Sequence, residues 1–137
     1  MSLEQVRALR TMLANRPTDL PLDARRAGFE AMMAQLPLAE GVTATPVSED
    51  VHGIWLDPLG KRTGQIILHV HGGAFVLGSA RSYQSFCSRL AKASGLSVFA
   101  LDYPLAPENP FPAGLDATIK ALEWLRDSGF QTSDIGL

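Results

Sequence analysis

Hydrophobic positions in the first 40 residues recur at helical spacing and predict two helices. The first begins at a Ser2–Gln5 capping box and runs to about Asn15. The second runs from about Leu22 to Leu36, and Pro37 ends it. Their predicted apolar sides are Val6, Leu9, Met12 and Leu13 in the first helix and Ala27, Phe29, Met32, Met33 and Leu36 in the second. Two interpretations stay open: a helical pair packed on the main body, or a lid over a pocket, since flexible Met side chains suit adaptable apolar surfaces.

The hydrophobic pattern then changes to that of strands. Residues 42–47 and 51–56 predict two strands joined by an acidic turn. The run from Gln65 to Val70 is apolar and rich in β-branched residues, and a second apolar run extends from Leu96 to Leu101. We expect both runs to be strands buried on both faces, as in a parallel sheet.

Helices are predicted between and after these two buried strands. Residues 82–94 carry Phe86, Leu90 and Ala93 at helical spacing, and residues 133–137 are typical of the start of one more strand. The helix predicted over residues 114–128 has an apolar stripe of Leu115, Ile119, Leu122 and Leu125. The order strand, helix, strand, helix, strand predicts an α/β fold with a mostly parallel central sheet flanked by helices and right-handed crossovers. We therefore divide the chain into an N-terminal helical segment, residues 1–40, and a sheet-bearing body, residues 41–137.

Composition narrows the class of protein without identifying it. The 137 residues are 46% hydrophobic and carry a formal net charge of −2, which favours a globular domain over a disordered chain. There is no long basic run, so we expect no nucleic-acid partner. The longest uncharged stretch, residues 63–80, contains two His, a Gln and several Gly, and we do not interpret it as a membrane span. A single cysteine, Cys87, and the lack of a signal-peptide pattern lead us to expect a cytoplasmic protein.

The segment most informative about chemistry is His71-Gly72-Gly73-Ala74-Phe75, directly after the strand that ends at Val70. Ligands of open α/β sheets bind beyond the carboxyl ends of the strands. Glycines there let the backbone approach a ligand closely, and their N–H groups can converge on a developing negative charge. A tight turn without catalytic duty is the alternative. A phosphate-binding loop is disfavoured, because neither G-x-G-x-x-G nor G-x-x-x-x-G-K-[ST] is present.

Two motifs together carry a family resemblance. The sequence HGGAFVLGS at residues 71–79, followed by LDYPLAPENPFPA at residues 101–113, resembles the hormone-sensitive-lipase-like branch of the α/β hydrolases, carboxylesterases of the HGGG type. The resemblance runs from about Gly53 to Leu137. It implies the N-terminal part of an α/β-hydrolase fold, and residues 1–40 are similar to the N-terminal part of that family's cap.

The resemblance also implies roles for the loop residues. The N–H groups of Gly73 and Ala74, with Gly72 as a further candidate, would bind the oxyanion of a tetrahedral intermediate. His71 would brace the loop by hydrogen bonding rather than act as the catalytic base. The segment from residue 102 to residue 112 would support the site from behind.

This chain departs from the family pattern at three positions. Ala74 replaces a third glycine, which keeps an N–H donor but adds a methyl group near the acyl oxygen. Pro104 stands where the family commonly has an arginine, which removes a charge and its ion pair, so we expect proline rigidity to hold that loop. Ala117 stands where a second acidic residue is frequent.

The catalytic triad of a serine hydrolase is not among these residues. An α/β hydrolase orders its triad Ser, Asp or Glu, then His, with the Ser in a G-x-S-x-G turn, and none of the serines here lies in such a turn. The resemblance implies a nucleophile turn a few residues past Leu137. We therefore expect a second polypeptide or a C-terminal portion to supply G-x-S-x-G, Asp and His. Without it, the strand over residues 96–101 would have an uncovered edge, and we expect residues 1–137 not to fold stably alone.

The remaining chemistry-bearing residues have structural interpretations. We expect His52 to be solvated, His69 to be a hydrogen-bonded core or interface histidine, and Cys87 to be a small buried hydrophobic residue. The run Asp23-Ala24-Arg25-Arg26 predicts a solvated helix face. The three histidines lack the Cys or carboxylate spacing of a metal site, and no cofactor is expected.

Two hypotheses for function follow. In the first, the chain is the N-terminal portion of a serine carboxylesterase or lipase that hydrolyses short-chain esters through an acyl-enzyme, or a lactone hydrolase of the same family. In the second, the chain is a non-catalytic binding module on a hydrolase scaffold. The presence or absence of a G-x-S-x-G polypeptide in the purified material separates the two hypotheses.

Overall fold

A computed structural model describes residues 2–14 and 19–137. The predicted end of the first helix at Asn15 and the side chains of Leu9, Met12 and Leu13 lie outside what it describes. Its helices are α1 (Leu3–Ala14), α2 (Leu22–Met33), α3 (Ala80–Ser94) and α4 (Ala113–Asp127), and a 3₁₀ turn spans Thr132–Asp134. Its strands are β1 (Val42–Ser48), β2 (His52–Pro58), β3 (Ile66–Val70), β4 (Ser97–Leu101) and β5 (Ile135–Gly136). Across the described ranges, no helix combines the length and apolarity that a bilayer crossing requires.

The five strands form one mixed sheet in the order β1-β2-β4-β3-β5. β3 pairs in parallel with β4 and with β5, as predicted for the strands from Gln65 onward. β1 and β2 form an antiparallel hairpin, and β2 pairs antiparallel with β4. The sheet is therefore parallel in its C-terminal part and antiparallel in its N-terminal part.

The predicted exposed edge over residues 96–101 is wrong. β4 lies between β2 and β3 and is paired on both sides, because the N-terminal hairpin occupies the side that sequence reasoning left open. Among the interior strands, the incompletely paired one is β3 instead. β5 pairs with only Ile66 and Ile67 of that strand, so the rest of β3 has no partner on that side among the described residues.

The sheet lies between α3 and α4, with a hydrophobic cluster on each face. Every residue of β4 is buried, which confirms that strand's predicted burial on both faces. In β3 only one face is fully buried, by Ile66 and Leu68. The α4-side cluster consists of Val51, Ile66, Leu68, Phe99, Leu101, Tyr103, Ala121 and Leu125. The α3-side cluster consists of Val42, Leu56, Ala80, Cys87, Ala91, Val98 and Ala100.

Helix α3 buries a face that its apolar spacing did not predict. Phe86 is 53% exposed, whereas the buried residues of this helix are small: Ala80, Ser82, Ser85, Cys87, Ser88 and Ala91. Small side chains let the helix approach the strands closely, and the buried serine hydroxyls donate to backbone carbonyl oxygens: Ser82 to Ser79, Ser85 to Pro37 and Ser88 to Ser85. The hydroxyl of Ser88 donates to the Ser85 carbonyl oxygen and accepts from the N–H of Ala39, both at 2.8 Å.

The apolar stripes predicted for the other helices are only partly confirmed. In α4, Leu125 is buried, but Leu115 and Ile119 are each nearly half exposed. In α2 no residue is fully buried, and Met32 is exposed. The ring of Phe29 in α2 contacts the ring of Tyr83 in α3, with centroids 6.1 Å apart. α2 therefore packs on the body of the molecule through half-buried side chains.

Candidate active site

The glycine-containing segment connects the carboxyl end of β3 to α3 and is called the 71–79 loop below. Its last residue, Ser79, caps α3: the Ser79 hydroxyl oxygen accepts from the Ser82 N–H at 3.0 Å, and the Ser79 N–H donates to the Ser82 hydroxyl at 2.8 Å. Asp102, just past β4, accepts from the Ala80 N–H at 2.7 Å. These contacts hold the end of the loop near the carboxyl ends of β3 and β4.

Two successive peptide groups at the start of the loop are held through their carbonyl oxygens. The Tyr103 hydroxyl donates to the His71 carbonyl oxygen at 2.8 Å, and Nδ1 of the His71 ring lies 3.0 Å from the Gly72 carbonyl oxygen. In a trans peptide the N–H points away from the C=O of the same group. Fixing the Gly72 carbonyl therefore also fixes the direction of the Gly73 N–H.

The next peptide group is held in the same way. The Gly73 carbonyl oxygen accepts from the N–H groups of Val76 at 3.1 Å and Leu77 at 3.0 Å. Because this carbonyl shares its peptide with the Ala74 N–H, that N–H points away from the turn. Among the described residues, no hydrogen bond to a protein group is found from the Gly73 or Ala74 N–H. Two fixed amides are thus left without a protein acceptor.

The loop adopts backbone conformations that side chains disfavour. Gly73 has φ +136°, and a Cβ added there would overlap the Leu77 carbonyl oxygen, so this position requires glycine. Ala74 and Phe75 have φ +54° and +62°, in the left-handed region that costs a non-glycine residue about 1–2 kcal/mol. Backbone strain of this kind concentrates at functional sites.

His71 is buried at the base of the loop. Its ring stacks on the ring of Tyr103, with centroids 4.2 Å apart, and on the ring of Tyr83 at 5.5 Å. A carbonyl can only accept, so the hydrogen bond to Gly72 requires the proton on Nδ1. Nε2 is buried and has no partner among the described residues. This geometry fits a bracing role, because neither ring nitrogen is open to a ligand.

An apolar cavity of about 560 Å³ lies in front of the loop. Such a cavity suits the uncharged organic part of a ligand, with polar groups at one side to orient it. Burial raises the pKa of the Tyr103 phenol at its wall, and the nearby Tyr83 raises it further. The lining residues are Val70, Ala74, Phe75, Tyr103, Pro104, Ala106, Asn109, Phe111, Gly114, Leu115 and Thr118.

The predicted solvated face of α2 is wrong for Arg26. Its guanidinium forms a two-pronged ion pair with both carboxylate oxygens of Glu108, each at 2.8 Å, and also donates to the carbonyl oxygens of Val76 and Ala106. The hydrogen bonds from Arg26 to the Glu108 carboxylate, and then a backbone hydrogen bond of Glu108, lower the pKa of that carboxyl to about 2. The segment that contains Pro104 is therefore held by an ion pair after all, and the cation of that pair comes from α2. Spacing could not reveal it, because Arg26 and Glu108 are 82 positions apart.

The other candidates have structural surroundings. His52 is exposed, as predicted. The predicted hydrogen bond of His69 is not found among the described residues: Nδ1 is buried without a partner, and the ring packs against the rings of Tyr83 and Phe86. Burial, and then the neighbouring His71, lower the pKa of His69. Cys87 is buried as predicted, and burial raises the pKa of its thiol to about 12.

Comparisons with known proteins give one consistent result. A sequence profile of the alpha/beta hydrolase fold matches residues 67–137. An esterase of Acinetobacter venetianus is 41% identical over 71 residues, covering 52% of this chain and 23% of that protein. The structure of a hormone-sensitive lipase from a metagenome library matches with TM-score 0.88 at 35% identity, covering 96% of this chain and 44% of that one. EstE5, in a crystal soaked with p-nitrophenyl butyrate, matches with TM-score 0.87 at 30% identity, covering 98% and 47%. The matched region spans less than half of each of these relatives.

Proposed function

This chain belongs to the alpha/beta hydrolase fold family, in its hormone-sensitive-lipase-like branch, and on that premise we propose that it supplies the oxyanion-binding part of a serine carboxylesterase. One observation carries the proposal. Peptide groups 72–73 and 73–74 are anchored through their carbonyls, and their N–H groups, on Gly73 and Ala74, have no protein acceptor among the described residues, next to an apolar cavity that Ala74 lines. Gly72 is a third candidate donor.

The chemistry follows from where charge develops during ester hydrolysis. A serine oxygen attacks the ester carbonyl carbon, a base takes the serine proton, and the carbonyl oxygen becomes an oxyanion. Donors fixed before the reaction stabilise that oxygen without reorganisation, and losing one costs on the order of 10²–10³ in kcat. The intermediate collapses to an acyl-enzyme as the alcohol leaves with the proton, and water then repeats the sequence to release the acid.

Within this scheme, the residues of this chain act on the oxygen and on the acyl group. The amides of Gly73 and Ala74 bind the oxyanion, His71 holds the first of them in direction, and the apolar cavity receives the organic part of the ester. We propose that the nucleophile, acid and base come from sequence outside these 137 residues. The greater length of the relatives and the incompletely paired β3 both support this proposal.

The decisive experiment is to purify the protein from its natural gene and measure its mass under denaturing conditions. The same preparation is assayed with p-nitrophenyl butyrate and labelled with a fluorophosphonate, which reacts with activated serines. We expect hydrolysis, together with a labelled serine in a G-x-S-x-G segment, either on the same polypeptide or on one that co-purifies. A homogeneous, folded 14.7 kDa species that neither hydrolyses the ester nor takes the label would favour the non-catalytic binding module instead.

A further inference from the structure

Helix α2 reaches the 71–79 loop through a side chain that the family motifs do not include. Arg26 lies in the middle of this helix, and its guanidinium makes four hydrogen bonds, all at 2.8 Å, to backbone and side-chain oxygens of two different loops. We propose that Arg26 is a positioning residue that sets the direction of the Ala74 N–H. The inference rests on the proposed function, in which that amide binds the oxyanion.

The first step of the coupling is a single peptide group held at both ends. Nε of Arg26 donates to the Val76 carbonyl oxygen at 2.8 Å. That carbonyl and the Leu77 N–H belong to the same peptide group, and the Leu77 N–H donates to the Gly73 carbonyl oxygen at 3.0 Å. Because the peptide is planar, rotating one end rotates the other. Arg26 therefore controls whether Leu77 keeps its hydrogen bond to Gly73.

The second step connects Gly73 to the reacting position. The Gly73 carbonyl and the Ala74 N–H are the two ends of one peptide group, so the hydrogen bonds on the carbonyl determine where the N–H points. Without Arg26, the 76–77 peptide is free to turn, and only the Val76 N–H at 3.1 Å still holds the Gly73 carbonyl. The Ala74 N–H would then sample several directions rather than one.

A parallel contact holds the outer side of the loop. Nη2 of Arg26 donates to the Ala106 carbonyl oxygen at 2.8 Å, and the Ala106 N–H donates to the Phe75 carbonyl oxygen at 2.9 Å. Glu108 orients the guanidinium by accepting from both of its outer nitrogens. The four hydrogen bonds come from three nitrogens of one planar guanidinium, whereas a lysine has a single nitrogen with three N–H donors, so a lysine cannot reproduce them.

The test compares three variants of the complete protein that contains this chain. Arg26→Met removes all four hydrogen bonds but keeps an apolar stem of similar length, and Arg26→Lys keeps the positive charge beside Glu108. Arg25→Met is the matched control, because Arg25 is the exposed neighbour on the same helix and no side-chain hydrogen bond is found for it in the described part of the chain. The readouts are kcat and KM for p-nitrophenyl butyrate, the melting temperature, and amide hydrogen exchange of the peptide covering residues 70–79.

We expect Arg26→Met to lower kcat by roughly 10- to 100-fold with KM within about threefold, because small displacements of a catalytic group cost this much. Exchange in residues 70–79 should accelerate. Arg26→Lys should not restore kcat, and Arg25→Met should match the parent protein in every readout. The melting temperature shows whether Arg26→Met is folded. If it is not, the kcat and the amide exchange of Arg26→Lys decide whether Arg26 positions the loop.

The outcomes separate this inference from the proposed function. Unchanged exchange in the Arg26 variants overturns the positioning role whatever the activity. Faster exchange with unchanged kcat overturns it too, because the loop would then act without this restraint. Full activity in Arg26→Lys would show that charge alone is needed and overturns the role of the guanidinium geometry. If the parent protein hydrolyses no ester, the proposed function fails, and exchange alone decides whether Arg26 restrains the loop.

Discussion

Replacing Gly73 with alanine perturbs the direction of the proposed oxyanion donors while leaving every amide in place. Gly73 has φ +136°, and the added Cβ would overlap the Leu77 carbonyl oxygen, so the backbone between residues 73 and 77 must shift. That shift opens the turn in which the N–H groups of Val76 and Leu77 hold the Gly73 carbonyl. The Ala74 N–H on the same peptide then loses its fixed direction.

Two effects of different size follow from this one methyl group. A non-glycine residue held at such a φ costs about 1–3 kcal/mol of folding free energy. A donor that points the wrong way lowers kcat by at most as much as a missing donor does. That loss is on the order of 10²–10³ in kcat, or about 2.7–4 kcal/mol of transition-state stabilisation. We expect KM to change little, because the amide contact strengthens as the oxyanion forms.

The matched control is Gly129→Ala. Gly129 also has positive φ, +104°, but nothing lies within 4 Å of its added Cβ, and it is remote from the 71–79 loop. This variant should lower the free energy of unfolding by about 1–2 kcal/mol and leave kcat unchanged. Kinetics with p-nitrophenyl butyrate are measured below the melting temperature of both variants. The reasoning is refuted if folded Gly73→Ala keeps kcat within threefold of the parent, or if Gly129→Ala loses as much activity.

Three further predictions concern single side chains. Cys87 should resist iodoacetamide in the native protein and react only on unfolding, because it is fully buried and burial raises its pKa to about 12; timed alkylation with peptide mapping measures this, and rapid native labelling would contradict it. The free energy of unfolding should decline as the pH falls below about 6.5, because burial lowers the pKa of folded His69 and the unfolded chain then binds more protons. Denaturant titrations of parent and His69→Phe across that range test this, and identical slopes would count against it. Ala74→Gly keeps the N–H and removes a Cβ from φ +54°, so kcat/KM should stay within about threefold and the free energy of unfolding within about 1 kcal/mol, since relief of strain offsets the greater freedom of glycine in the unfolded chain. A tenfold loss of kcat/KM in that variant would show that the methyl group itself serves the site.

Sequence reasoning located most of the elements because their signals are local. The strands β1 to β4 begin and end within two residues of the predicted positions, where changes of hydrophobic period and turn residues mark the boundaries. The parallel pairing of β3 with β4 and β5 follows from the intervening helices, since a crossover of that length joins parallel neighbours. The capping box at Ser2 and Gln5 is also local and is confirmed, with hydrogen bonds of 2.7 and 3.2 Å.

The errors arise where tertiary context decides. Apolar spacing predicts Phe86 on the buried face of α3, but the residues buried in this helix are small, such as Cys87 and Ser88. A serine that satisfies its hydroxyl against a backbone carbonyl can be buried, and no hydropathy pattern reveals that bond. The edge assigned to β4 was wrong for a related reason. Hydrophobicity shows that a strand is buried but does not show which strand covers it.

The same distinction explains why a departure from the family motif need not disable the site. Position 73 requires glycine, because a Cβ there would overlap the backbone. Position 74 requires only a backbone N–H, which alanine has. What directs that N–H is a set of hydrogen bonds on carbonyls, made by Val76 and Leu77 and extended to Arg26 on a helix about fifty residues earlier. A motif glycine such as Gly73 marks a position where the backbone has no room for a side chain. Arg26 lies outside both motifs, so its part in holding this backbone is found from hydrogen bonds in the folded structure rather than from the motif.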